Sequence, residues 1–216
     1  MPVAEIGQAT GAAERLHAQN PLWPWVSRFL WSPAQDLHPS RRAELLPGWD
    51  DEAWSHPGVL RHVSRHLLAS AGLTQETRWE EDAQGSRLAL LPQEALALLA
   101  RRVGLALRPP RGEALASLAQ QDRAFVTEPA PLYWHADEAQ PPAGFEASGW
   151  RALRTSLQSL PNPLRRRFEW KTPIHTDPAQ EESGASHTAE PLQALALRIV
   201  REFQEPWSCL FTTPLR

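Results

Sequence analysis

An internal disulfide is out of reach for this chain of 216 residues, because it holds a single cysteine, Cys209. That scarcity fits a reducing compartment. Neither sign of charge dominates: a formal net charge of −3 and a pI near 6.2 argue against broad electrostatic binding to nucleic acid. No run approaches the roughly 18–20 apolar residues that a membrane span requires. Residues 1–20 are polar and small, without a basic stretch leading into an apolar core, so they read as a flexible N-terminus and not as a secretory signal. Alternating strand patterns, tandem repeats and sustained heptads are missing. So are a glycine-rich phosphate loop, a nucleophile elbow and a Cys-x-x-Cys pair. What remains is a soluble, cytoplasmic chain with no catalytic signature.

Proline and tryptophan are in surplus. The 21 prolines imply many short elements separated by breaks. The 10 tryptophans, against one tyrosine, suit both cores and protein interfaces. The most apolar stretch is Leu88–Leu107, expected to form one central helix. Pro92 suits its first turn, Arg101 and Arg102 its last, and Gly104 a left-handed C-terminal cap. Apolar residues over most of its circumference predict burial on several sides.

The rest of the chain reads as an irregular bundle of short and medium helices around that centre, joined by proline-rich loops. Helices are expected over Leu22–Trp31, from Pro39 to Leu46, over Pro57–Ala71 closed by Gly72, and over Gly112–Val126. Others run from a Ser148 cap to Leu160, over Leu164–Trp170, and from Thr188 onward. Ser86–Leu91 is expected to be briefly extended, and Asp122 to lie at the edge of its apolar stripe. Residues 21–216 form one helical domain, with a division into two lobes near 128–145 left open. Lys171–Thr188, poor in apolar residues, reads as a mobile loop.

Candidate chemistry is sparse. His62 and His66, four apart on one helix, have the spacing for a shared metal, but the Glu of the zinc-protease motif is absent and no third ligand is evident. Cys209 has no neighbour that would lower its pKa. The acidic clusters Asp50-Asp51-Glu52, Glu80-Glu81-Asp82 and Glu181-Glu182 fall in expected turns and read as solvated. The basic run Arg165, Arg166 and Arg167 is expected to face outward. No cofactor is implied.

Four segments carry a resemblance. RFLWSPAQDLHPS (Arg28–Ser40), LLPQEALALLARRVGLAL (Leu90–Leu107), SLPNPLRRRFEWKTP (Ser159–Pro173) and EPWSCLF (Glu205–Phe211) are similar, in order and spacing, to segments of the SctK family (YscK/PscK-like) of type III secretion systems. The resemblance implies a non-enzymatic adaptor of the cytoplasmic sorting platform, peripheral at the inner membrane. It would link the inner-membrane ring protein SctD to the pods built on SctQ, and through SctL to the SctN ATPase. The contact groups expected on that reading are Arg165, Arg166, Arg167, Trp207, Leu210 and Phe211. Two other functions compete: a helical metal-dependent hydrolase using His62 and His66, and a chaperone-like binder of secreted substrates.

Overall fold

Proline placement sets the element lengths in the computed structural model, which describes residues 22–73, 79, 84–126, 144–174, 189–201, 207 and 209–212. In chain order the helices are α1 (Trp23–Trp31), a 3-10 turn (Pro33–Asp36), α2 (Pro39–Leu45), α3 (Asp51–Ser55) and α4 (Pro57–Ser70). There follow α5 (Gln84–Leu90), α6 (Gln93–Leu107), α7 (Glu113–Ala116), α8 (Gln120–Val126) and α9 (Gly144–Ser156). The last are α10 (Asn162–Trp170), α11 (Ala189–Arg201) and α12 (Cys209–Thr212). No strand occurs among the described residues, and the fold is a mainly α, irregular bundle. The 3-10 turn, α2 and α4 each begin on a proline, where a missing N–H costs nothing.

The expected centre is the observed one, with its ends moved. Pro92 donates no N–H and disfavours helix in Leu91, so Leu88–Leu107 is two helices with a break at Leu91-Pro92. Ser86–Leu91 is therefore not extended: all but its last residue belongs to α5. From Ala95 onward α6 buries most of its circumference, with Ala95, Leu96, Leu99, Ala100, Val103 and Leu105 at 0% exposure and Ala97, Leu98, Arg101 and Arg102 partly buried. It continues to Leu107, so Arg101 and Arg102 lie in its middle and Gly104 is no cap.

Gly104 instead lets two backbones touch. A methyl group built there would overlap the carbonyl of Phe145, and one on Gly149 would overlap the carbonyl of Ala100. The central helix α6 and α9 thus pack with glycine facing backbone in both directions, a close approach that a side chain at either position would block. Ser148, expected as a cap, is buried within α9 and donates from Oγ to the Gly144 carbonyl. Trp150, Leu153, Leu157 and Leu160 all reach the core as their spacing predicts. Residues 127–143 lie outside the described residues; α8 and α9, on either side of them, each pack on α6.

Gly112–Val126 is two helices, α7 and α8, not one. Leu118 and Phe125 are buried, while Leu115 is exposed. A second, smaller cluster joins the 3-10 turn to α3 and α4 through Ala34, Leu37, Trp54, Val63 and Leu67. The helix α4 ends as its sequence predicts. Gly72 takes φ +67°, its N–H donates to the Ala69 carbonyl, and the Leu73 N–H donates to Leu68, the paired bonds of a glycine C-cap.

Candidate interaction surface and the buried ionic centre

One buried polar side chain is fully engaged: Lys171, the only lysine in the chain. It follows α10 immediately and turns inward, with about 2% of its side chain exposed. Its Nζ donates to the carbonyls of Ala89 (2.9 Å) and Leu91 (2.8 Å) and stands 3.3 Å from Asp36 Oδ2. Those partners match the three donors of an ammonium. The two carbonyls are ones that the Pro92 break leaves without helical partners. The ammonium also sits 4.9 Å from the Phe29 ring centroid, within reach of a cation–π contact. Burial pushes the Lys171 pKa down, and the Asp36 carboxylate opposes that shift.

Asp36 is equally buried and holds a second cation: Arg28 donates to it from Nε (3.1 Å) and from its terminal nitrogen (2.5 Å). Reading Lys171 as the start of a mobile loop is therefore wrong. Lys171 and Thr172 are buried, and Arg41 Nε donates to the Thr172 carbonyl at 2.8 Å. The remainder, 175–188, lies outside the described residues.

The Arg165–Arg167 run does not face outward as a unit. Arg167 is 1% exposed and donates to the carbonyls of Leu30 (3.1 Å), Pro163 (2.9 Å) and Leu73 (3.2 Å). Burial without a charge partner lowers its pKa. On a nine-residue helix whose inward stripe is Leu164, Arg167 and Phe168, the third arginine falls on the core side by the 3–4 rule. Arg165 is half-buried and donates to the Gln158 carbonyl and to Asn162 Oδ1. Arg166 is exposed, 3.5 Å from Glu169.

The aromatic tail also turns toward the core. Leu210 is fully buried, and Trp207 and Phe211 pack partly buried against the main cluster. The Leu210 carbonyl accepts from Arg87 at 3.0 Å. Of the six expected contact residues, Arg167 and Leu210 are buried, Arg165, Trp207 and Phe211 are partly buried, and Arg166 is exposed.

Three of the four segments that carry the resemblance thus meet around one ionic centre. Arg28 and Asp36 come from the first, the Leu91 carbonyl from the second, and Lys171 from the third. Arg167 ties the third to Leu30 of the first, and the His38 N–H donates to the Trp170 carbonyl at 3.0 Å. Leu210, from the fourth, is held by the helix that leads into the second.

His38 caps α2 with its ring: Nδ1 accepts from the Ser40 N–H at 3.2 Å. The imidazole stands edge-on to Trp150, with centroids 5.9 Å apart. Partial burial, then Arg41, Arg154 and Arg42, lower its pKa to about 4, so the neutral ring is the folded form near neutral pH.

A further charged group joins α6 to its neighbours. Arg101 donates to Asp122 (2.8 Å) and to Glu146 (2.7 Å), which raises its pKa. Arg102 lies over the Phe125 ring at 4.6 Å. Asp122 is buried, not at the edge of its stripe, and the Arg101 bond is what allows it there.

His62 and His66 are exposed on the outer side of α4. No group of three or more His, Cys, Asp or Glu that could hold a metal occurs among the described residues. Asp50 caps α3 by accepting from the Ala53 N–H, with Asp51 and Glu52 in its first turn, a helix-start role and no paired-acid site. The clusters at 80–82 and 181–182 lie outside the described residues. Among the described residues no helix is long and apolar enough to cross a membrane.

Sequence reasoning missed Lys171 and Asp36. The available signal was compositional: one lysine among 22 basic residues marks a position where a compact ammonium does what a guanidinium cannot. No protein-family model, no curated protein and no solved structure matches the chain.

Proposed function

We propose that this protein is a non-enzymatic adaptor of the type III secretion sorting platform, linking an SctD-type inner-membrane ring protein to SctQ-type pods. SctL and the SctN ATPase would be engaged only through the pods. The observation that carries the reading is the meeting of the family-like segments around Asp36 and Lys171. Segments with no evident relation along the sequence become parts of one fold-determining centre, which gives a physical reason for them to occur together. That centre is sealed by its own partners, so binding is left to the outer faces of the helices it holds in place. The described surface also offers features suited to protein contacts, including Trp31 and Trp49 at 41% and 49% exposure.

The test is capture of the SctQ-type protein and of the SctD-type cytoplasmic domain from the same organism by the full chain. Binding of both is expected. A folded sample that captures neither overturns the proposal.

A further inference from the structure

Most of the described arginines are tied into the fold. Arg28 and Arg101 hold buried carboxylates, Arg167 holds three carbonyls, and Arg166 is compensated by Glu169 on its own helix. The helix α4 departs from that pattern. Arg61 and Arg65 stand four apart and exposed on its outer side, and neither forms an ion pair with a described carboxylate. Arg65 Nε only reaches back to the Arg61 carbonyl at 3.5 Å. His62 and His66 lie beside them, also four apart and exposed.

Folding does not account for this stripe. Like charges at i, i+4 destabilise a helix. The helix has no acidic residue in its first turn and no basic residue in its last, so its cations sit mid-helix, where the dipole does not favour them. The chain as a whole is net acidic, so the stripe is not a sample of general basicity. Opposite it, Val63, Leu67 and Leu68 are buried and hold the face in a fixed orientation.

We infer that the outer face of α4 (Arg61, His62, Arg65 and His66) is a docking surface for an acidic helix of a protein partner. The inference rests on the adaptor reading and names where one of its partners sits. Guanidinium forks pair bidentately with carboxylates, and the one-turn spacing of Arg61 and Arg65 matches Asp or Glu one turn apart on a facing helix. A membrane surface fits less well, because the flanking exposed residues Ala69 and Ser70 provide no large apolar group to insert.

The test compares wild type with R61E/R65E and R61Q/R65Q, each first shown folded by circular dichroism. Binding to the SctD-type and SctQ-type partners is measured at about 0.05 M and about 0.3 M salt. The inference expects at least one Kd to rise by about tenfold or more in R61E/R65E and by less in R61Q/R65Q, with the difference shrinking at high salt. Changes below about threefold for both partners overturn it. If wild type binds neither partner, the adaptor reading fails by itself. The surface is then judged with a helical peptide carrying glutamates four apart, beside phosphatidylserine vesicles and single-stranded DNA. Peptide binding that R61E/R65E abolishes supports the surface. Binding only to vesicles or DNA, or to no probe, overturns it.

Discussion

Lys171 shows at the scale of one side chain how a buried charge is tolerated. Its ammonium meets two open carbonyls and a carboxylate, so each donor is answered. Lys171→Met keeps most of the apolar stem of the side chain and removes its bonds to all three partners. With both carbonyls unmet and Asp36 left to Arg28 alone, it is expected to lower stability by about 3–5 kcal/mol, read by urea unfolding. Adding Asp36→Asn removes the stranded charge, so the double variant should lose less than the sum of the two single losses. His38 gives a pH prediction. Its folded pKa of about 4 lies below the ordinary histidine value of 6.5, so below pH 6.5 the unfolded chain gains a proton that the folded chain refuses. Stability attributable to His38 should fall between about pH 6.5 and about pH 4, then level off. The loss is about 1–2 kcal/mol, smaller than the bare shift because the ring is only half-buried. His38→Asn keeps a capping acceptor and should flatten that part of the profile in pH-dependent melting.

At the scale of elements, the crossing of α6 and α9 is the most exacting contact. Gly104→Ala gains about 1 kcal/mol of helix propensity, but its methyl meets backbone, which cannot rotate away as a flexible side chain could. Overpacking of about 1–3 kcal/mol should win, giving a lower Tm for Gly104→Ala and for Gly149→Ala alike. A rise in Tm would show that the helices can part without loss. The sequence revealed the apolar faces of these helices but not their partners. Leu153 and Leu157 announce themselves by spacing, whereas Gly104 looks like a cap because a glycine after two arginines carries both meanings. The segment around Asp122 misleads for a related reason. Its stripe is interrupted by a charge whose partner, Arg101, is 21 residues away in the chain. Local periodicity cannot report a contact at that separation.

For the whole molecule, α6 decides whether there is a fold. Val103→Asp would bury a carboxylate at a position of 0% exposure and should abolish the cooperative unfolding transition. Leu98→Asp, at a half-buried site on the same helix, should be measurably milder. The mainly helical class and the central apolar stretch were legible in the sequence, because composition and periodicity speak directly to them. The burial of two candidate contact residues was not: Arg167 and Leu210 look like surface and tail on paper and are interior in space. Their burial depends on which carbonyls long-range packing leaves open. One consequence concerns chemistry done to the protein. Its single ε-amine is sealed inside the core, so reagents and enzymes that modify lysine find none on the folded surface. Acylation at Lys171 would then clock the opening of the core, turning one residue into a built-in reporter of unfolding.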